Sequence, residues 1–257
     1  MSTLEASDFP LTRSTIDRLD DWISELAAPL LPLKKTPLEL EHVTGLIYEF
    51  REESERALLV SKAVRMGSGI RVAMLLADLG YISECGSILR IVTDFAQEIL
   101  CICDGVKTGQ RTIAHQSFVK QYFMKLPKTP DEFDTSPRVK FVTRDELLGA
   151  QQRWAIANKL DATRIRKVTR FLANMYDKFV HGSYVTAMEL YDPRSWKFML
   201  RGHEAPEKRQ VYQRATASKL HQAVTALAAI AELERNHRLL DEICRAGLAL
   251  FNSGELS

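Results

Sequence analysis

Long stretches of this chain carry an apolar residue at every third or fourth position, and glycines and prolines cluster between those stretches. Such spacing places the apolar residues along one face of an α-helix. A first helix is predicted to begin near Ser14 and to end before Pro29, because four apolar residues share one of its faces: Ile16, Leu19, Ile23 and Leu26. The overall pattern predicts long helices joined by short loops.

A second helix is predicted from the residues that begin and break helices. Thr36 followed by Pro37 is typical of a helix N-terminus, so the second helix is expected to run from there to Met66. The sequence Gly67-Ser68-Gly69 is expected to break it, and a short helix is predicted over residues 70–79.

The next predicted helix spans about residues 83–104 and is expected to stop at Gly105. Apolar residues cover most of its circumference, and the polar strip that remains is narrow. A helix that is apolar on so many sides is expected to lie at the centre of the fold.

In the second half of the chain, Thr143 and Glu146 form a capping box that begins a helix ending near Leu160. Asp161 caps the helix that follows, which is expected to run to about Val180. The other predicted elements are a helix over 108–126, a loop over 127–142, a short β-hairpin within 186–201 around the turn Asp192-Pro193-Arg194-Ser195, and a helical stretch over 207–251 that bends near Asn236.

These elements predict an all-α protein, a bundle of about seven helices with one short β-hairpin insert. No convincing linker interrupts the chain, so residues 1–257 are expected to form a single domain, with 1–13 and 252–257 flexible. An all-α fold argues against Rossmann-type nucleotide binding, which needs strand–helix–strand units.

The composition says more about the cellular location of the protein than about its activity. Apolar residues make up 46% of the chain, enough for a sizeable core, and no stretch reaches the roughly 18 uncharged apolar residues of a membrane span. The N-terminus lacks a signal-peptide pattern, so a cytoplasmic protein is expected. The four cysteines show no paired framework; Cys101 and Cys103 are expected to be small core residues rather than metal ligands with His115.

Charge is distributed unevenly along the chain. Residues 1–60 hold twelve acidic and six basic side chains, whereas residues 138–178 hold four acidic and ten basic ones. The basic segment is suited to an anionic partner. An alternative of equal weight is attraction between the two segments within one fold or a dimer.

The segment from Arg164 to Tyr184 carries the first candidate site. Its predicted apolar stripe is Ile165, Val168, Leu172, Tyr176 and Phe179. On the opposite face, Asp177 precedes His181 by one helical turn, so its carboxylate is placed to orient the imidazole and raise its pKa. Arg166, Arg170 and Asn174 share this face, and arginines favour a bound phosphate. The alternative is that His181 only interacts with the carbonyls at a helix C-terminus.

Arg90 and Asp94 form the second candidate, one turn apart on the narrow polar strip of the central helix. Buried charges need partners, so the strip is expected to face another polar element, most simply the face that carries His181 and Arg170. Either an ion-pair network that holds two central helices in register or a ligand site fits this arrangement.

Two short segments of the chain resemble an uncharacterised prokaryotic helical family that is related to the HEPN superfamily (higher eukaryotes and prokaryotes nucleotide-binding). They are Leu89-Arg90-Ile91-Val92-Thr93-Asp94 and Tyr176-Asp177-Lys178-Phe179-Val180-His181-Gly182-Ser183. The usual acid of that family is Glu, and here it is Asp94.

The resemblance implies a helical bundle, often dimeric, and in many members a metal-independent ribonuclease of toxin–antitoxin, abortive-infection or CRISPR systems. The catalytic signature of those nucleases is an Arg followed after four to six residues by a His. That signature is absent at His181, because positions 174 to 176 are Asn, Met and Tyr, and only Arg214 and His221 have the spacing.

Three hypotheses follow from these features. The first is a HEPN-like protein that binds or cleaves RNA in a defence or toxin-type system, as a homodimer or with a partner protein, and without a metal or another cofactor. The second is a non-catalytic interaction module, and the third is a sensor of a small molecule or nucleotide. The chain lacks the sequence motifs of sequence-specific DNA binding. The candidate catalytic residues are His181, Arg170 and Asp177, and the candidate ligand-binding residues are Arg90, Asp94, Asn174 and Tyr184.

Overall fold

The computed structural model describes residues 9–40, 43–123, 143–157, 159, 161–181 and 183–256. Within them the chain forms nine α-helices and two antiparallel strand pairs, which confirms an all-α fold with a short β-hairpin. The helices are α1 Pro10–Ala27, α2 Glu55–Asp78, α3 Ile82–Thr108, α4 Ile113–Tyr122, α5 Arg144–Ala157, α6 Ala162–Val180, α7 Tyr184–Glu189, α8 Pro206–Leu233 and α9 His237–Asn252. The strands are β1 Lys34–Leu40, β2 Val43–Glu49, β3 Tyr191–Asp192 and β4 Lys197–Phe198.

The prediction that a helix begins at Thr36 is wrong. Lys34–Leu40 and Val43–Glu49 pair instead as the antiparallel strands β1 and β2, with Lys34 opposite Glu49, and α2 begins only at Glu55. Four of the seven residues of β2 are β-branched or aromatic, which favours a strand, and β1 pairs with it despite the helix-start signal of its Thr-Pro pair. Ser54 caps α2 instead, since its side chain accepts a hydrogen bond from the backbone N–H of Ala57.

The break predicted at Gly67 to Gly69 is also wrong, because α2 continues through it to Asp78. A Cβ on Gly67 would lie 2.6 Å from Cδ1 of Ile23, and one on Gly69 would lie 2.7 Å from Cγ2 of Val92. The two glycines therefore let α1 and α3 approach α2 closely.

The stop predicted at Gly105 lies one turn too early. The helix α3 runs on to Thr108 and ends at Gly109, which has a left-handed φ of 68°. Gly105 lies inside the helix, where a Cβ would overlap the ring of His115. The following helix, α4, begins at Ile113 with Thr112 as its N-cap, rather than at residue 108.

Several predicted helix boundaries are confirmed. Thr143 and Glu146 form the reciprocal hydrogen bonds of a capping box. The Asp161 carboxylate accepts a hydrogen bond from the N–H of Arg164 at the start of α6. Asn236 separates α8 from α9 and caps α9 through the N–H of Leu239. The loop predicted over 127–142 lies outside the described residues.

The predicted hairpin insert exists but is smaller than expected. Tyr191 pairs with Phe198, and Asp192 with Lys197. The residues before it, Tyr184–Glu189, form the short helix α7, which takes up the first part of the range 186–201 predicted for the hairpin.

The main core lies between α1, α2, α3, α8 and α9. Its largest fully buried apolar side chains include Trp22, Leu58, Met66, Ile70 and Ile99. Each such side chain contributes roughly 1.5–3 kcal/mol through its removal from water. As predicted, α3 is central, since it packs against α2, α5, α6, α7 and α8.

A second, smaller apolar cluster joins α6 to this core and positions the candidate site. Tyr176 of α6 and Tyr212 of α8 pack there against Leu89 of α3. Gly86 of α3 allows the ring of Phe179 to come close, because a Cβ at that position would lie 2.6 Å from the ring. The C-terminal half of α6 is thereby held against α3.

The two segments that were expected to be flexible contact each other where the structure describes them. Residues 10–13 form the first turn of α1, and the Glu255 carboxylate accepts hydrogen bonds from the backbone N–H groups of Leu11 and Thr12. The N–H groups in the first turn of a helix have no partner within the helix, so they attract a carboxylate. The sequence pattern did not predict this contact between the two ends of the chain. None of the helices in the described ranges is long and apolar enough to cross a membrane.

Candidate functional site

A polar contact between α3 and α6 brings together three of the residues predicted from the sequence. The guanidinium of Arg90 donates through Nε to Oδ1 of Asp177 at 2.5 Å and through Nη1 to Oδ1 of Asp94. Asp94 lies one turn along α3, and Asp177 lies on the facing helix. The contact links the two central helices through Asp177 alone, since Arg170 and His181, which were expected to face the same strip, are exposed.

Burial decides what this Arg90 cluster (Arg90, Asp94 and Asp177) can do. The Arg90 side chain is 15% exposed, whereas those of Asp94 and Asp177 are about one third exposed. Burial opposes the charge of Arg90, but the hydrogen bonds to the two carboxylates outweigh it and raise the pKa of the guanidinium. Arg90 is therefore a charged residue with two acidic partners, and it presents little surface to an added anion.

His181 lies at the C-terminal end of α6, where its backbone N–H donates to the carbonyl of Asp177. Its side chain is exposed, and it makes no hydrogen bond or ion pair with the residues that the structure describes. The imidazole is therefore accessible to a ligand. Asp177, the residue predicted to orient it, is held by Arg90.

The remaining predicted residues lie along the outer surface of α6 and just beyond it. Arg170 and Asn174 are exposed on α6, and Tyr184 is exposed at the first position of α7. Val168, which was assigned to the apolar stripe, is 47% exposed, so the stripe is narrower than predicted. Tyr176 of the same stripe is fully in the core, as expected.

The exposed side of α6 collects positive charge. At 100° per residue, its exposed basic residues fall within an arc of roughly 120°. Together with exposed Phe171 they form what we call the basic face: Arg164, Lys167, Arg170 and Lys178. None of these four cations forms an ion pair with a described residue. A helix face with four cations that no described residue neutralises attracts polyanions.

A buried lysine lies on the opposite side of α6 and was missed by the sequence reasoning. The Lys219 side chain of α8 is 1% exposed, and its Nζ lies 5.0 Å from the ring centre of Tyr176 and 3.2 Å from Oε1 of Gln222. Burial, and secondarily the charge of Arg90, lowers the pKa of this amine to about 8. The sequence did contain a signal for this burial. Helical spacing places Lys219 on one stripe with four apolar residues of α8: Tyr212, Ala215, Ala223 and Ala226.

A second lysine, Lys62 of α2, is surrounded by aromatic rings. Its Nζ lies 4.9 to 5.4 Å from the ring centres of Phe95, Phe118 and Tyr122, and 2.7 Å from Oε2 of Glu98. Burial raises the pKa of Glu98, although the Lys62 ammonium opposes the shift. Lys62 itself fills this aromatic cage, so the arrangement stabilises the α2–α3 contact.

A third cluster joins α2 to α4. The Glu55 carboxylate accepts two hydrogen bonds from Arg111 and lies 3.0 Å from Nε2 of the buried His115. The Arg111 hydrogen bonds are the main reason that the pKa of Glu55 is lowered. His115 and Cys101 line the same cavity of about 320 Å³, whereas Cys103 does not. Among the described residues, no group of three or more His, Cys, Asp or Glu could hold a metal ion.

Comparisons of the chain with protein-family models, with curated proteins and with solved structures gave no match. The fold and the site therefore define only a class: an all-α bundle with an ion-paired junction between its central helices and a basic outer helix face. The resemblance to the HEPN superfamily stays a prediction.

Proposed function

We propose that this protein binds RNA, and that the basic face of α6 is the primary contact. The observation that carries the proposal is the row of four exposed cations, none of them paired with a described residue. A phosphate backbone is a regular polyanion, and arginine and lysine side chains that release its counterions supply most of the affinity. The resemblance to HEPN proteins makes RNA the nucleic acid to test first.

The site supports binding better than cleavage. Arg90 was predicted to bind a ligand, but it is engaged by Asp94 and Asp177. His181 is accessible and is suited to contact a phosphate or a ribose hydroxyl, and cleavage would need it to move a proton as well. We therefore assign contact with the backbone to Arg170 and His181, and structural support to the Arg90 cluster.

The proposal is tested by measuring the affinity for a fluorescently labelled 20-nucleotide RNA, by anisotropy, at several salt concentrations. The test variant carries three substitutions on the basic face: Arg164→Gln, Lys167→Gln and Arg170→Gln. Since each lost phosphate contact changes the slope of log affinity against log salt by about 0.7 for a single strand, the slope should become shallower by about 2. Affinity at low salt should fall at least tenfold.

A matched control removes the same charge elsewhere. Its three substitutions are at exposed positions on α2, α4 and α9: Arg65→Gln, Lys120→Gln and Arg245→Gln. This control should bind RNA within about twofold of the wild type. Equal losses in the two triple variants would mean that net charge alone drives binding, and they would overturn the assignment to α6.

Cleavage is measured in the same samples by following the length of the labelled RNA. If the protein cleaves RNA through His181, the His181→Ala variant should still bind RNA, more weakly by the loss of one contact, and should leave the RNA intact. Cleavage by both proteins at the same rate would exclude His181 as the catalytic group. An intact RNA in both samples, together with salt-dependent binding, would identify a binding protein without nuclease activity.

A further inference from the structure

The β3–β4 hairpin and the residues beside it expose large apolar side chains, although the ring of Phe198 also packs edge to face against Tyr191, with 5.6 Å between the ring centres. Trp196 is 81% exposed and Phe198 is 52% exposed, and Tyr184 of the preceding helix α7 is 78% exposed. Leu200, just after β4, is 76% exposed. Exposed apolar side chains that are clustered in this way are typical of an interaction site.

The turn that presents Trp196 is fixed by its own hydrogen bonds. The Asp192 carboxylate accepts hydrogen bonds from the N–H groups of Arg194 and Ser195, at 3.1 and 3.3 Å. The N–H of Trp196 donates to the carbonyl of Asp192 at 2.9 Å, and Trp196 has a left-handed φ of 60°. A bulky residue rarely adopts this conformation, so the turn holds the indole outward at the expense of local strain.

The base of the hairpin is fixed to the end of α2. The N–H of His203 donates to the carbonyl of Gly80 at 2.7 Å, and Gly80 and Gly202 both have left-handed φ angles, of 78° and 96°. A Cβ on either glycine would overlap backbone atoms of the other segment. The aromatic side chains are therefore presented on a rigid support, which lowers the entropy that binding would have to offset.

Basic side chains alternate with the apolar ones along the same segment. Arg194, Lys197 and Arg201 are exposed, and they interleave with Trp196, Phe198 and Leu200. The Asp192 carboxylate lies opposite Lys197 and accepts hydrogen bonds from the turn, and the one ion pair that the three cations form with a described residue is the long contact of 3.4 Å between Arg194 and Glu207. Rings that alternate with cations suit a strand whose bases stack while its phosphates are neutralised.

The hairpin follows directly from the basic face. The backbone N–H of Ser183, the residue before α7, donates to the carbonyl of Lys178 in α6 at 3.0 Å, so α7 is attached to the end of the helix that carries the basic face. His181 and Tyr184 lie between the two surfaces along the chain, and both are exposed. An RNA strand that binds along α6 would therefore continue toward the hairpin.

We infer that the hairpin is a stacking platform for unpaired bases, so that the preferred ligand is single-stranded RNA rather than a duplex. This inference rests on the proposed function, since it specifies which RNA the basic face binds. In a duplex the bases already stack on each other, so Trp196 and Phe198 would have no base to bind. A protein that contacts only the phosphate backbone would not need these exposed rings.

The test compares the affinity for a labelled 12-nucleotide polyuridine, a 12-nucleotide polyadenine and a 12-base-pair RNA duplex. The wild type should bind each single strand at least tenfold more tightly than the duplex. The first variant is Trp196→Asn, because asparagine tolerates the left-handed φ at this position. Loss of one stacked base should weaken single-strand binding by about 5- to 150-fold and leave duplex binding unchanged.

Two further variants separate stacking from folding and charge. Trp196→Phe keeps an aromatic ring and should restore most of the affinity. Phe251→Ala removes an aromatic side chain that is 64% exposed on α9, and it should have no effect. Because stacking involves no counterion release, Trp196→Asn should lower affinity at every salt concentration without changing the salt slope, unlike the triple variant of the basic face.

The outcomes distinguish this inference from the proposal on which it rests. Equal binding of single strands and duplex, with Trp196→Asn unchanged, would overturn the stacking platform and leave the basic face standing. Absence of RNA binding by the wild type would overturn both. If Trp196→Asn changed only the binding of anionic lipid vesicles, with RNA affinity unaffected, the hairpin would be a membrane contact and the inference would be wrong.

Discussion

Replacement of the buried Lys219 by methionine should stabilise the protein at neutral pH. The ammonium of Lys219 is 1% exposed and has a neutral partner, Gln222, and an aromatic one, Tyr176. Arg90 is near enough to oppose its charge. Methionine has nearly the same length, is flexible and carries no charge, so it can occupy the same space.

The magnitude follows from the pKa of this amine. Its pKa falls from 10.5 to about 8, and each unit corresponds to 1.36 kcal/mol, so at pH 7 the charged Lys219 destabilises the fold by about 3 kcal/mol. Replacement also removes the contacts with Tyr176 and Gln222, each of which contributes about 0.5–1 kcal/mol. The expected net gain for Lys219→Met is about 2 kcal/mol, or an increase in Tm of about 4–8 °C.

The pH dependence provides an internal check. Between pH 8 and pH 10.5 the unfolded chain binds a proton at Lys219 that the folded chain releases, so the stability of the wild type rises with pH across this window. The variant lacks this titration. Its advantage should be complete below pH 8 and should decrease steadily as the pH approaches 10.5.

The assay is urea-induced unfolding followed by circular dichroism at pH 7 and at pH 9.5. Lys120→Met, at an exposed position of α4, serves as the control and should change the free energy of unfolding by less than about 0.5 kcal/mol. A loss of 1 kcal/mol or more for Lys219→Met at pH 7 would refute the reasoning, because the interactions of the ammonium would then exceed its desolvation. A gain that is equal at both pH values would point to packing instead of charge.

Three other substitutions test the contacts that hold the site in place, each by its effect on the urea midpoint. Arg90→Met leaves two carboxylates near each other without their counter-ion and should destabilise the protein by about 1–3 kcal/mol; no change would mean that the cluster does not hold α3 and α6 together. Gly80→Ala requires a left-handed alanine that overlaps the backbone of His203 and should destabilise by about 2 kcal/mol or more, whereas a neutral result would argue against the rigid hairpin base. Lys62→Met leaves the half-buried Glu98 without its counter-ion and should destabilise by about 1–3 kcal/mol at pH 7 but less at pH 5, where Glu98 is more protonated; an effect that does not change with pH would contradict this account.

Much of the helical framework could be predicted from local patterns. The capping box at Thr143, the cap at Asp161 and the break at Asn236 depend on hydrogen bonds between residues three apart, so the sequence specifies them almost completely. The turn at Asp192 is equally local, because its carboxylate bonds to the next two backbone N–H groups along the chain.

The errors concern residues whose conformation depends on distant parts of the chain. Gly67 and Gly69 resemble a helix break in sequence, but their role is to admit Ile23 and Val92 from neighbouring helices. Gly105 resembles a helix stop, yet it makes room for the ring of His115. A glycine that is required for close packing cannot be told from one that is required for a turn until the partner element is known.

The candidate site, too, was predictable where it depends on local pattern and unpredictable where it depends on distant residues. The amphipathic pattern of α6 and the narrow polar strip of α3 were legible in the sequence, because helical periodicity alone decides which residues share a face. Only the tertiary structure decided that Arg90 is held by Asp94 and Asp177, that the basic face of α6 is exposed, and that the aromatic hairpin rests on a rigid base at Gly80. The physical reason is that burial and pairing of a charge depend on which elements approach it, and this is a property of the packed fold rather than of the sequence around the charge.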